Sequence, residues 1–293
     1  MLELSLAEVL AECPEWFHSI ELAPNLVTPG RKSVELLKQE LARISLPDLR
    51  GKSVLDIGAY DGFFSFAAER LGASRVVALD HYVWATDMAG YLKDWRESQQ
   101  TGRALPPPHL SRHFRPDELP GRKPFDLARR ALGSKVEPVV ADFMTADLST
   151  LGTFDVVLFM GVLYHLEEPL TAIRRLRSVT APGGLAVIET EAIAAMGLEG
   201  RACCEFFPGA ELNNDPSNWW SPNARALEGL LRAAGFPEVT VLKDESDPQP
   251  WDLVKALIKG FLRGRLVLPV ARYRAFAHAR LASTLPTSER PDR

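Results

Sequence analysis

Val54-Leu55-Asp56-Ile57-Gly58-Ala59-Tyr60-Asp61-Gly62 is the stretch on which the fold turns. A short apolar run that ends in glycines reads as a buried strand bending sharply into a helix. Glycine at such a bend lets a ligand approach the backbone closely. Downstream, residues 63–71 have helical spacing, with Phe63, Phe66, Ala67 and Leu71 on one side, and residues 75–79 form a second strand closed by Asp80. An acid at that position can accept hydrogen bonds from both hydroxyls of a ribose. A dinucleotide fingerprint needs G-x-G-x-x-G, but Tyr60 stands at its second glycine and Phe63-Phe64 at its third. A nicotinamide-dependent dehydrogenase is therefore disfavoured. Asp56, on the strand itself, suits a positively charged ligand better than a pyrophosphate.

The same rhythm continues outward. Residues 136–140, 154–160, 185–188 and 238–242 read as strands, and 169–180 and 222–234 as helices. The first of these helices opens on a proline and stops at Ala181-Pro182-Gly183-Gly184; the second closes at Gly235. Strands alternating with helices imply a doubly wound α/β fold, its mostly parallel sheet covered on both faces. Upstream, residues 3–12 and 31–44 carry leucines at helical spacing, so 1–50 is expected to be a helical cap and 51–245 the main domain. Residues 82–135 and 196–221 are too long for ordinary connections. Ligands in open α/β sheets bind beyond the carboxyl ends of the strands, so these insertions are expected to form a substrate lid.

Composition narrows the class. The chain has 293 residues, a net charge of -4 and three cysteines, Cys13, Cys203 and Cys204, too few for a disulfide framework. No apolar run is long enough to span a bilayer, and no basic leader precedes the first leucines, so a cytoplasmic protein is expected. Residues 251–293 hold nine Lys/Arg against three Asp/Glu. Residues 246–293 therefore read as a basic C-terminal extension. Trp251, Val254, Ile258, Phe261 and Leu262 share one helical side beside Lys255, Lys259 and Arg263, a pattern that can touch a membrane surface, a partner or phosphates.

The strand-Asp-x-Gly turn with its second-strand acid resembles the class I S-adenosylmethionine-dependent methyltransferases, over about residues 49–242. Met160-Gly161-Val162-Leu163-Tyr164-His165, Pro169-Leu170 and Glu189-Thr190 are similar to the tRNA wobble-uridine (mo5U34/cmo5U34) methyltransferase family, which acts on 5-hydroxyuridine. Asn218-Trp219-Trp220-Ser221-Pro222 loosely matches that family's segment before its penultimate helix. The resemblance implies a seven-stranded Rossmann-like sheet and S-adenosylmethionine as cofactor. It implies cofactor contacts at Asp56, Gly58, Ala59, Tyr60, Gly62, Asp80, His81, Asp142, Phe143, Met160 and Tyr164, with Asp142 and Phe143 bracketing the adenine. Tyr82 and Trp84 are further candidates to flank it. The family's central glycine is Tyr60 here. No C-terminal arginine motif for a carboxylated cofactor is found, so the ordinary cofactor is expected.

Methyl transfer needs alignment of nucleophile, methyl and sulfur, and a hydroxyl nucleophile gains from a base. His165, just past the fourth strand of the main domain, has a suitable unperturbed pKa; capping the next helix or bonding a backbone carbonyl is its alternative role. Glu189 and Glu191 lie past the fifth strand and are expected on opposite faces. One would serve the cavity as base or anchor and the other pair with Arg174, Arg175 or Arg177. Trp219 and Trp220 could stack on an acceptor or pack the lid. Glu205, Glu211, Asn213, Asn214 and Asp215, with Glu189, offer oxygen donors for Mg²⁺, but no spacing specifies a metal site and none is expected. The expected reaction is O-methylation of a small metabolite or natural-product intermediate. Methylation of the tRNA wobble uridine stands second, and a non-catalytic cofactor-binding module third.

Overall fold

A computed structural model describes residues 5–283, apart from Ala104 and residues 264–267. Residues 3 and 4 of the expected first helix, and basic residues Arg265, Arg290 and Arg293 of the tail, lie outside the described residues. In chain order the elements are α1 (Leu6–Glu12), β1 (Glu21–Ala23), β2 (Leu26–Val27), α2 (Val34–Ile44), β3 (Ser53–Ile57), α3 (Phe63–Arg70), β4 (Arg75–Asp80), α4 (Met88–Thr101), α5 (Lys123–Leu132), β5 (Glu137–Val140), β6 (Phe154–Met160), α6 (Pro169–Ser178), β7 (Thr180–Ala195), β8 (Cys204–Phe206), β9 (Trp220–Pro222), α7 (Ala224–Ala233), β10 (Glu238–Leu242), α8 (Pro250–Phe261) and β11 (Val270–Arg280).

Seven strands form the central sheet in the order β10-β11-β7-β6-β3-β4-β5. β11 runs antiparallel to both its neighbours, while β3, β4, β5, β6 and β7 pair in parallel. The period of two along each strand feeds both faces of the sheet. Val54 and Val76 join a core with Trp16, Leu37, Phe66 and Phe125, whereas Leu55, Ile57 and Val77 join another with Ile173, Leu176, Leu227 and Leu231. Helices α2, α3 and α5 thus cover one face, and α6 and α7 the other. Asn223 starts α7 by accepting the Ala226 N–H at 2.8 Å.

One boundary differs from the expectation. β11 comes from residues 270–280, inside the supposed C-terminal extension, and it is a central strand of the sheet. Ala275, Ala277 and Ala279 are fully buried, so the alternation of small apolar residues with Arg272, Arg274 and His278 is a strand pattern and not a basic coil. α8 matches the expected amphipathic helix. Leu253 is its buried residue, and Trp251, Ile258, Phe261 and Leu262 are exposed.

Candidate active site

The turn after β3 is held by its own strand neighbours. The N–H groups of Gly58 and Ala59 both bond the Leu79 carbonyl, at 2.8 and 3.3 Å, and that of Gly62 bonds the Ala59 carbonyl at 2.8 Å. Tyr60 donates its N–H to Asp80 Oδ2 at 2.9 Å. These donors are therefore spent inside the turn, which is poorly equipped to hold a pyrophosphate. Gly58 and Gly62 adopt the left-handed conformation, and a Cβ on Gly62 would lie 2.5 Å from the Phe66 ring. Tyr60 takes the same conformation at φ 54°, and its ring leaves the turn to stack on Phe17 with centroids 4.8 Å apart.

Asp80 is buried and accepts the N–H of Tyr60 on one oxygen and that of Val83 on the other, at 3.0 Å. Each oxygen keeps a second lone pair, the requirement for receiving two ribose hydroxyls. Burial pushes its carboxyl up to about 6, against the backbone bonds that favour the charge. Asp56 is also buried and also pushed up to about 6 by burial; it turns under α3 to accept the Ser65 hydroxyl at 2.6 Å. Asp80, one N–H on each of its oxygens, beside turn N–H groups already engaged within the turn, suits a ligand that brings ribose hydroxyls. The residues present thus fit an adenosyl ligand.

Around this crevice the expected residues separate. His81 is half-buried with its ring edge-on to Phe114. Trp84 is fully buried, bonded to the Tyr60 carbonyl and packed on Phe125, so it belongs to the core and does not flank an adenine. Asp142 begins the turn after β5, accepting the Met144 N–H and the Thr145 hydroxyl, both at 2.8 Å, and Phe143 packs on Phe159. Met160 ends β6, paired with Glu189 of β7.

Beyond β6 and β7 lies a second group. Glu189 and Glu191 share a face, because residues two apart on a strand point the same way; the expectation of opposite faces is corrected. Both pair with Arg274, which sits opposite Glu191 in the β7–β11 register. The guanidinium holds Glu189 through two nitrogens, reaches Glu191 at 3.1 Å, and donates to the Tyr164 hydroxyl at 3.3 Å. Arg174, Arg175 and Arg177 are not the partners; Arg175 bonds the carbonyls of Phe143 and Ala146, and Arg177 that of Gly235. An arginine from the C-terminal region therefore stands at this rim, engaged by the two glutamates. Two buried carboxylates face one cation, leaving a net negative charge.

His165 follows β6 in a short 3-10 turn. Its Nδ1 lies 3.0 Å from the Ser217 hydroxyl and 3.2 Å from the Ser217 carbonyl, and burial holds its pKa below the usual histidine value. Trp219 and Trp220 gather around half-exposed Phe206, and the Trp220 indole donates to the Glu167 carbonyl. The oxygen donors of the second insertion disperse. Glu205 pairs with Arg272, Glu211 accepts the Gly209 N–H, Asn213 donates to Glu191, and Asp215 holds Ser217.

Sequence reasoning missed the N-terminal contribution. Asp61, fully buried, accepts the N–H groups of Phe17 and His18 and pairs with the His18 ring. Phe17 and His18 are thereby fixed against Tyr60 and Phe63. A buried acid inside a glycine turn was the available signal, since such a charge needs a partner.

The fold and crevice define a class I S-adenosylmethionine-dependent methyltransferase, and the chain belongs to that family. A family described as a methyltransferase domain matches residues 30–241. Among curated proteins, the tRNA U34 carboxymethyltransferase of Idiomarina loihiensis is 28% identical over 198 residues, covering 67% of this chain and 49% of the relative. That of Azotobacter vinelandii is 30% identical over 192 residues, covering 66% and 47%. The chain thus spans about half the length of the curated relatives it matches. Among solved structures, the N-terminal domain of EvdMO1 in the presence of SAH and D-fucose superposes with a TM-score of 0.57 at 18% identity, covering 94% of this chain and 95% of that one. At that identity the likeness shows the fold alone.

Proposed function

We propose that this enzyme O-methylates a small, uncharged or cationic acceptor, with His165 as the general base. When bound, S-adenosylmethionine supplies a methyl group already activated on a sulfonium. The chain then has three tasks. Asp80 receives the ribose, with Asp142 and Phe143 beside the adenine; Met160 and Tyr164 border the sulfonium end; and His165 takes the acceptor's proton. Burial keeps the imidazole neutral at pH 7, the form a base requires. Glu189 and Glu191, fixed by Arg274, anchor the acceptor, and Trp219 and Trp220 of the second insertion cover it.

The observation that carries the choice of acceptor is the two-to-one ratio of buried carboxylates to arginine at the rim. A phosphodiester chain would meet net negative charge there, whereas nucleic-acid sites present cations. The curated relatives favour a second reading, methylation of the tRNA wobble uridine. Isotopically labelled cofactor, incubated with the enzyme and either extract metabolites below ~1 kDa or unmodified tRNA, separates the two. Label in the metabolite pool supports the first; label in tRNA alone replaces it with the second.

No described helix is long and apolar enough to cross a membrane. We place the enzyme in the cytoplasm, with α8 as a weak membrane contact through its exposed Trp251 and Phe261 beside Lys255 and Lys259. Removing residues from 246 onward would delete β11 from the sheet, so this contact is better tested with Trp251→Ser/Phe261→Ser. Co-sedimentation with phosphatidylserine vesicles should fall in that variant; no binding by the parent enzyme would dismiss the contact.

A further inference from the structure

The second insertion does more than cover the rim, because residues 212–218 touch both His165 and Glu191. The loop is closely tied. Asn218, buried, donates to the Leu212 carbonyl at 2.9 Å, and Trp95 of α4 donates to the Asn214 carbonyl at 2.8 Å. Trp219 donates its N–H to the Tyr164 carbonyl at 2.8 Å, adjacent to His165. Asn213 reaches Glu191 at 3.1 Å from a left-handed backbone, which asparagine tolerates better than most residues.

The hydrogen-bond directions on His165 are determined by what its neighbours can do. Asp215 Oδ1 lies 2.6 Å from the Ser217 hydroxyl and accepts the Ser217 N–H at 2.9 Å. An ionised carboxylate only accepts, so the serine proton is committed to Asp215. The Ser217 hydroxyl therefore offers His165 a lone pair, and the Ser217 carbonyl can offer nothing else. Both groups beside Nδ1 are acceptors, and Nδ1 must carry the proton. A neutral imidazole has one N–H, so Nε2 keeps its lone pair.

We propose that Asp215 and Ser217 are positioning residues that fix His165 in the tautomer able to accept a proton at Nε2. This rests on the reading of His165 as the base. As the acceptor oxygen bonds the methyl carbon and the carbon–sulfur bond breaks, the hydroxyl proton passes to Nε2, and the imidazolium later returns it to solvent. Nδ1–H continues to donate to Ser217 throughout, so the loop need not rearrange. The charged groups facing the imidazole are Asp215 from the loop, Arg274 from β11 and Glu189 from β7, with the Tyr164 ring at 4.2 Å. Asp215 and Glu189 favour the imidazolium, and burial and Arg274 oppose it.

The tautomer can be observed without knowing the acceptor. Protein labelled with ¹⁵N-histidine and saturated with S-adenosylhomocysteine should give a long-range ¹H–¹⁵N spectrum in which His165, assigned by its loss in His165→Gln, is protonated on Nδ1 at pH 7.5. Ser217→Ala loses the hydroxyl acceptor but keeps the carbonyl, so only part of the His165 population should move to the Nε2 tautomer, and Ser217→Thr, which keeps a hydroxyl, should restore the wild-type spectrum. Asp215→Asn should keep the tautomer, since the amide oxygen still accepts, but lower the His165 pKa further, because the charge that favours the imidazolium is gone. A wild-type His165 protonated on Nε2, or an unchanged spectrum in Ser217→Ala, would overturn the proposal. Normal turnover by His165→Gln would remove the base role itself, an outcome separate from the spectrum.

Discussion

Nine consecutive residues, 54–62, and one acid on the neighbouring strand build the crevice after β3, whereas the rim beyond β6 and β7 is assembled from four distant stretches. The crevice places Gly58 by a backbone bond to the neighbouring strand and Tyr60 by its N–H on the Asp80 carboxylate. At the rim, Tyr164 meets an arginine 110 residues away, and His165 meets a serine 52 residues away. Apart from the Asp80 carboxylate, the crevice is shaped by main-chain bonds and will keep its shape through most side-chain changes. The rim is made of charged side chains that hold one another, so the loss of one strands the others. Cofactor binding and acceptor chemistry should therefore fail separately.

The largest effect should come from His165→Gln, with turnover down roughly 10²- to 10⁴-fold. Calorimetric binding of S-adenosylhomocysteine should stay within about twofold, because the ring lies outside the crevice; equal losses in both would merge the two halves. Next, Arg274→Met leaves Glu189 and Glu191 buried without a cation. Breaking such a pair costs about 3 kcal/mol, allowing for partial exposure of the guanidinium, or roughly 6–12 °C in melting temperature. The melting curve checks this, and a parallel Glu189→Gln/Glu191→Gln background should recover part of the loss. If Arg274→Met melts like the parent, the rim is not held by its charges.

A smaller effect separates the halves by pH. In the unfolded chain Asp56 and Asp80 ionise near 3.8, and in the folded chain near 6. Between those values the folded chain holds more protons, so the two groups stabilise it at pH 4 and lose that contribution as pH rises through 6. The unliganded enzyme should gain a few degrees of melting temperature, relative to Asp80→Asn, as pH falls from 7.5 to 5.5. A parallel pH profile in the two proteins would show that burial does not strain Asp80.

The same contrast explains what could be read from the sequence. β3, α3, β4 and β6 follow from local periodicity, because each strand buries both faces and ends at a glycine or an acid. β11 was hidden because its buried side is alanine, a weak strand former, and its other side carries Arg272 and Arg274, so it looked like a charged tail. Arg274 was missed with it, and so was the partner of both glutamates. The shared face of Glu189 and Glu191 was available from their spacing alone. Asp215 could be read only as an oxygen donor and Ser217 had no signal, since a polar loop acquires its role only when the fold brings it to His165. Asp61 and His18 lie 43 residues apart, and only the folded chain joins them.

The central claim is that the turn after β3 and Asp80 together receive the adenosyl ligand. Titration calorimetry with S-adenosylhomocysteine, comparing the parent enzyme with Asp80→Ala, tests it most directly. The parent should bind and the variant should bind at least about 100-fold more weakly, the loss of two hydrogen bonds to a buried carboxylate. Equal affinity in the two proteins would contradict the claim and move the cofactor to another part of the molecule.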